Sequence, residues 1–433
     1  MTIKYIDLFA GIGGFRTGFE KAAKSAALNA ECVFTSEIKP TALRTYSENF
    51  EPTEAIDITT FDVSQIPDFD VLLGGFPCQA FSTAGKRDGF LDTRGTLFFD
   101  IQRILEVKRP RGFILENVEG LVNHDPDGGP EPYGKTLKVI LNNLEALGYK
   151  VCWKVLNAAN FGLPQARKRI FITGTLESHV TLDDFPVKRL DLGAILESNV
   201  PPETSRTIDL ILRHFKPEEL RGKSLKDKRG GDQNIHSWDI ELKGKTSVRQ
   251  RELLGALLKA RRNKKWGESK GIKWMDGMPL TISEIETFFT DSNLEEMLED
   301  LTIKGYLTFE HPKDLLEVEI DGVVRAQRTP RTDVPKGYNI VAGKLSFEVS
   351  KFLDAKSVAP TLVATDVERI MVVQNDGLRK LTEREMLRLF GFPEQFELNT
   401  KNYRESCDLM GNTIAVNVVE AVSSRLIASL VRD

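Results

Sequence analysis

IKYIDLFAGIGGFRTGFEKAAKSA, residues 3–26, decides the fold. IKYIDLF (3–9) is an apolar strand, and FRTGFEKAAKSA (15–26) is an amphipathic helix. Between them Gly11, Gly13 and Gly14 form a turn that permits positive φ and close approach of the backbone to a ligand. CVFTSE (32–37) is a second strand and PTALRTYSENF (40–50) a second helix. Glu37 closes the second strand where doubly wound sheets place a carboxylate on ribose hydroxyls. The glycine spacing is not GxGxxG, so by itself it indicates a nucleoside-containing ligand or only a tight helix–strand turn. Phe9 and Asp57 are candidates for contact with an adenine. No Lys, Ser or Thr follows the glycines as a phosphate-binding loop requires.

The same rhythm continues outward. VLLGGF (71–76), GFILENV (112–118), VCWKVLNAANFG (151–162) and RKRIFITGT (167–175) read as strands. TLFFDIQRILEVKRP (96–110) and TLKVILNNLEALGY (136–149) read as helices. Alternating strands and helices predict an α/β fold, Rossmann-like, with an open, mostly parallel sheet covered on both faces. After about residue 176 the character changes, and a regular pattern resumes near 357, ending in the apolar helix NTIAVNVVEAVSSRLIASLV (412–431). The expected division is a main domain of 1–175 plus 357–433, with 176–356 as a smaller inserted domain.

The 433 residues are 41% hydrophobic and 28% charged, an ordinary globular balance with room for two lobes. The net charge of −4 confines any nucleic-acid surface to a local patch. Cys32, Cys78, Cys152 and Cys407 lie far apart with no CxxC pairing, so neither a metal site nor a disulfide framework is expected. No signal peptide and no apolar run of the roughly 20 residues a membrane span needs are visible. The expectation is a soluble cytoplasmic monomer.

Three segments carry chemistry. GGFPCQAFSTAG (74–85) places Cys78 directly after a buried strand, at the carboxyl end of the sheet where ligands bind in such folds. A lone cysteine is more often a buried small hydrophobe. Pro77 before it, Gln79 after it and a glycine-punctuated loop downstream favour a reactive thiol under a lid. ENV (116–118) puts Glu116 at the same edge, where a dry carboxyl has a raised pKa and can donate a proton; a capping or salt-bridged Glu is the alternative. QARKR (165–169) begins a strand, so Gln165, Arg167 and Arg169 are expected on one face, toward a phosphate or a base carbonyl or merely toward solvent.

Together these segments resemble the cytosine-5 DNA methyltransferase family. The resemblance runs through DLFAGIGGF (7–15), TSEI (35–38), DIT (57–59), GGFPCQAFSTAGKRDGF (74–90), ENVEGL (116–121), FGLPQARKRIFI (161–172), APTLVAT (359–365), LTEREMLRLFGFP (381–393) and GNTIAVNVVEAV (411–422). It implies an S-adenosylmethionine-dependent methyltransferase fold, no metal, and a double-stranded DNA substrate with its target cytosine flipped out. Carried over, Cys78 is the nucleophile and Glu116 the acid. Arg167 contacts the cytosine carbonyl, and Gln165 and Arg169 shape the site. Phe9, Ala10, Gly11, Ile12, Gly14, Glu37, Ile38, Asp57, Ile58, Pro77, Leu97, Asn412 and Thr413 line the cofactor pocket. Gln79, Ser82, Lys86 and Arg87 lie in the lid against DNA. AKSVA before Pro360 departs from relatives that have arginine there. A role in restriction–modification follows, with a cognate endonuclease acting on the same site without direct contact.

The insert would recognise the target. Residues 201–275 hold 19 Lys and Arg against 10 Asp and Glu, with Trp266 and Trp274 interleaved. Three helices and a hairpin over about 247–310 follow the order of a winged helix, though the acidic stretch 294–300 suits phosphates poorly. Arg261, Arg262 and Lys264 are therefore the expected DNA contacts, against a plain solvated face. Three rivals stay open: an RNA methyltransferase on this scaffold, a non-catalytic DNA-binding relative, and a nicotinamide oxidoreductase. The last accounts for Glu37 but for nothing at 74–82 or 165–169.

Overall fold

The computed structural model describes residues 1–76, 97–126, 132–273, 277–320, 323–341 and 347–431. The chain divides into two units. The first comprises Met1–Asn199, Asp354–Glu368 and Leu381–Asp433; the second comprises Val200–Leu353 and Arg369–Lys380. Both boundaries differ from the 175/176 and 356/357 expected. Leu192 and Gly193 hydrogen-bond to the backbone of Ser357 and Ala355, which ties 176–199 to the first unit. Residues 370–379 pair into the second unit's sheet instead of returning with the rest of the C-terminal segment.

In the first unit β1 (Thr2–Leu8), α1 (Gly14–Ser25), β2 (Asn29–Ser36), α2 (Pro40–Asn49), β3 (Val71–Gly75), α3 (Leu97–Lys108), β4 (Gly112–Val118), α4 (Lys135–Ala146) and β5 (Lys150–Asn157) follow one another. A two-residue β6 (Gln165–Ala166) precedes β7 (Lys168–Thr175). The six-stranded sheet has the order β2-β1-β3-β4-β7-β5. β1 to β4 are mutually parallel, and β7 runs antiparallel between β4 and β5. The central strands are apolar on both sides because both faces are covered. Ile6, Leu72, Phe113 and Leu115 pack toward α3 and α4, while Tyr5, Leu73, Ile114 and Phe171 pack toward α1 and the C-terminal helix.

In the second unit, α5 (Arg206–His214) and α6 (Pro217–Leu220) precede β8 (Ser224–Leu225) and β9 (Asn234–Ile235). Next come α7 (Val248–Ala260), α8 (Lys265–Ser269), α9 (Ile282–Glu286), α10 (Leu294–Ile303), β10 (Leu307–Glu310), the β11–β12 ribbon (Lys313–Ile320 and Val323–Pro330) and β13 (Gly337–Ile340). β14 (Lys351–Leu353) closes this stretch, and β15 (Ala359–Pro360) belongs to the first unit. β16 (Ile370–Gln374) and β17 (Gly377–Arg379) complete a five-stranded sheet ordered β17-β16-β14-β8-β9. A separate core gathers Leu253, Leu257, Leu298, Leu301 and Tyr306 around Trp238.

α11 (Glu383–Phe390), α12 (Tyr403–Asn412) and α13 (Val416–Val431) return to the first unit. α13 is the apolar helix read in the sequence, and Val416, Val419, Val422 and Leu426 are buried. It packs on α1 closely because Gly14 and Gly18 lack side chains. A Cβ on Gly14 would sit 2.7 Å from Ile414 Cγ2, and one on Gly18 would sit 2.6 Å from Val419 Cβ.

Candidate active site

Parallel pairing sets Gly75 of β3 opposite Glu116 of β4, so the chain leaves β3 toward residue 77 beside that carboxylate. Asn117 fastens the junction: its Nδ2 donates to the carbonyl of Phe76 at 3.2 Å, and its Oδ1 accepts from the amide of Val118 at 2.8 Å. Cys78, Pro77, Gln79, Ser82, Lys86 and Arg87 lie outside the described residues.

Glu116 is only 13% exposed and pairs with Arg169, 17% exposed, through Nε to Oε1 at 3.0 Å. The two sit diagonally across antiparallel strands, since Val118 faces Arg169 in the register. Burial pushes the Glu116 carboxyl up, while Arg169 and then Arg167 pull it down. A carboxyl balanced in this way can hold a proton toward neutral pH and hand it on.

Gln165, Arg167 and Arg169 do not share a face as expected. The strand breaks at Arg167, between β6 and β7, and the backbone turns there with the Arg167 amide donating to the Gln165 carbonyl at 3.0 Å. Gln165 is fully buried, pairs with Ala359 of β15 and donates from Nε2 to the Leu389 carbonyl at 3.3 Å. Arg167 is buried as well. It donates to the carbonyls of Leu362 at 3.1 Å and Thr413 at 2.6 Å, and its guanidinium lies 5.2 Å from the Phe390 ring centroid. The guanidinium beside Glu116 is that of Arg169, not Arg167. Arg167 instead joins the segments around 362, 390 and 413. Asn117 and Phe390 were missed as partners; ENV and LRLFGF held them, but nothing in spacing shows which buried group each would meet.

The glycine turn and two strand ends converge. Phe9, Gly11 and Gly13 have φ of 56°, 57° and 86°. The Gly11 amide donates to Glu37 Oε2 at 2.8 Å, and Glu37 Oε1 accepts from the amides of Ile38 and Lys39 at 2.8 and 2.7 Å. The Ala10 amide reaches the Ser36 carbonyl and the Ile56 amide the Glu37 carbonyl, each at 3.0 Å, which brings 9–14, 36–38 and 56–58 together. Open space surrounds the position a Gly11 Cβ would take, a cradle a ligand can fill, whereas a Cβ on Gly13 would strike the Phe50 ring. The Thr413 hydroxyl lies 3.2 Å from the Cβ position of Gly14.

Ala10, Ile12 and Ile58 turn buried side chains into the core, so only their backbone is available to a ligand. Ile38 is 63% exposed. Asp57 is exposed, and its carboxyl is held below the usual range by the Thr59 hydroxyl and amide. Phe9 and Leu97 are half-buried, and Asn412 is exposed with its amide on the Asp408 carbonyl at 2.8 Å. Beneath the turn lies Asp7, which is fully buried. Burial pushes its carboxyl up to about 8, opposed by Arg16 and aided by Glu37 and Glu20.

The expected DNA contacts in the second unit divide. Arg261 is buried, with Nη1 donating to Asn339 Oδ1 at 2.7 Å, which removes it from the surface. Arg262 and Lys264 are exposed. Trp266 is buried, with its indole N–H on the Ala260 carbonyl at 2.9 Å and the Lys265 ammonium 4.0 Å from its ring centroid; Trp274 lies outside the described residues. Among the described residues no His, Cys, Asp or Glu group could hold a metal ion.

A nucleotide-type sheet with a glycine cradle at one strand end and a largely buried acid–guanidinium pair at another defines a methyltransferase-like α/β unit. The chain belongs to the C-5 cytosine-specific DNA methylase family, which matches residues 3–428. It is 55% identical over 430 residues to type II methyltransferase M.NlaIV of Neisseria lactamica, covering 99% of both chains. It is 40% identical over 458 residues to M.BanI of Aneurinibacillus aneurinilyticus, covering 100% of this chain and 97% of that one. Among solved structures, the fold is similar to methyltransferase EhMeth of Entamoeba histolytica, with a TM-score of 0.53 at 17% identity over 100% of this chain and 99% of that chain.

Proposed function

We propose that this DNA methyltransferase moves a methyl group to carbon 5 of a cytosine through the chemistry of Cys78, Glu116 and Arg169. The observation that carries the reading is the largely buried Glu116–Arg169 pair beside the strand that leads to Cys78. S-adenosylmethionine, when bound, supplies an electrophilic methyl group. The Gly11 cradle and Glu37 fit its nucleoside part, and Phe9, Asp57, Leu97, Asn412 and Thr413 stand around the same strand ends.

Carbon 5 of cytosine is a weak nucleophile. The Cys78 thiolate adds to carbon 6, Glu116 gives a proton to ring nitrogen 3, and carbon 5 becomes enamine-like. After carbon 5 takes the methyl group, a water base takes its proton, the carbon–sulfur bond breaks, the thiolate leaves as the 5,6 double bond re-forms, and ring nitrogen 3 returns its proton to the Glu116 carboxylate. Arg169 holds the base carbonyl and keeps Glu116 oriented. Arg167 positions the 362, 390 and 413 segments around this site. The target base must leave the duplex stack to reach it.

The second unit takes the target-recognition role, and the likeness to type II methyltransferases supports a cytoplasmic restriction–modification function. Incubation with labelled S-adenosylmethionine and duplex DNA, followed by base analysis, tests the reading. Label in 5-methylcytosine is expected. Label in another base, or in RNA only, would overturn it.

A further inference from the structure

Two basic loops of the second unit, remote in sequence, are joined. Arg262 Nη2 donates to the Lys228 carbonyl at 2.7 Å, which sets Lys226–Arg229 against Arg262–Lys265. Lys226, Lys228, Arg229, Arg262, Lys264 and Lys265 are all exposed. The one acid in either loop, Asp227, is buried, and its oxygens accept from the amide and hydroxyl of Ser237 at 2.7 and 2.6 Å. It therefore does not face the cations around it.

Several other cations of this unit are matched. Arg249 pairs with Glu252 and Asp291, Lys270 with Glu284, Lys304 with Asp300, and Arg331 with Asp333. Among the described residues no carboxylate forms an ion pair with Lys226, Arg229, Arg262, Lys264 or Lys265. Clustered unpaired cations repel one another, and a polyanion relieves that repulsion while releasing its own counterions.

Element order says which surface does not take the DNA. α7, Leu280 bridged to Tyr338, α9, α10, β10, the β11–β12 ribbon, and β13 paired with β10 follow the path of a winged helix. In helix-turn-helix folds the second helix of the pair, here α10, enters the major groove. α10 reads LEEMLEDLTI, has no cation, and exposes Glu295, Glu296 and Glu299. Phosphates repel such a helix.

We propose that the second unit holds duplex DNA by its phosphates on the composite surface of 226–229 and 262–265, with α10 kept off the groove. The proposal rests on the DNA methyltransferase reading. Phosphate contacts position a protein without reading sequence. Loss of these side chains therefore weakens binding equally on target and unrelated duplexes.

The test is equilibrium binding of the full chain to mixed-sequence duplexes between about 50 and 200 mM salt. One variant combines Arg229→Ala, Arg262→Ala, Lys264→Ala and Lys265→Ala; a second combines Glu295→Gln, Glu296→Gln and Glu299→Gln. Unchanged melting and unchanged S-adenosylmethionine binding establish that both variants fold. The first variant should flatten the log K against log salt slope by roughly 2 to 4, since each phosphate contact contributes about 0.9. The second should leave the slope and affinity where they were. An unaltered slope in the first variant, or tenfold tighter binding in the second, overturns the proposal. Wild-type protein with no duplex binding at all would instead overturn the DNA reading beneath it.

Discussion

The active edge of the first unit and the basic surface of the second use charge in opposite ways. Arg167 is buried and Glu116 and Arg169 are largely so, each committed to particular atoms. Lys226, Arg229, Arg262, Lys264 and Lys265 are exposed and form no ion pair with a carboxylate among the described residues. Buried charge acts through geometry, so one substitution should be severe and insensitive to salt. Exposed charge acts through its sum, so single losses should be small and salt should mimic them.

The largest effect expected is at Glu116. Glu116→Gln should lower turnover roughly 10²- to 10⁴-fold, as loss of a general acid does, with cofactor affinity intact. Single-turnover rates at saturating cofactor decide this, and a variant within threefold of wild type would remove Glu116 from the chemistry. Arg167→Ala comes next. It leaves the Leu362 and Thr413 carbonyls without their buried donor, at a cost of about 3 kcal/mol in denaturant unfolding. A loss below about 0.5 kcal/mol would mean that Arg167 does not join those segments.

Arg169 offers a subtler break. Because it pulls the Glu116 carboxyl down, Arg169→Ala should leave residual activity whose alkaline decline lies at higher pH than in wild type. A decline at lower pH would contradict the pairing. Asp7 extends the comparison to stability. Its folded pKa of about 8 lies above the ordinary carboxylate value, so its contribution is fully present below the unfolded pKa and drains away as pH rises through about 8. Between pH 4 and pH 9 the wild type should lose thermal stability relative to Asp7→Asn, and parallel melting curves would refute this. The smallest effect is Lys264→Ala alone, which should change stability by no more than about 0.5 kcal/mol and DNA affinity only modestly.

Periodicity made the first unit legible. The runs around 3–9, 71–76 and 112–118 became β1, β3 and β4 within a residue or two, because strands buried on both faces are plainly apolar. It could not show that the strand at 167–175 starts one residue later, after a break at Arg167. That break decides which arginine meets Glu116, and it depends on β6 pairing with Ala359 and Pro360, nearly two hundred residues away. The same limit applied to Arg261 and Arg262. Adjacent basic residues look alike in a sequence, but only the first turns inward, toward Asn339. Asp7 also read as part of a strand, with nothing local to mark a carboxyl sealed beneath the glycine turn.

The central claim is that Cys78 attacks the base while Glu116 protonates it. Duplex DNA carrying 5-fluorocytosine, incubated with S-adenosylmethionine, blocks the last proton loss and so preserves the protein–DNA bond. The account predicts an adduct that survives denaturation with wild-type protein, forms far more slowly with Glu116→Gln, and is absent with Cys78→Ala. An adduct that persists in Cys78→Ala would contradict it.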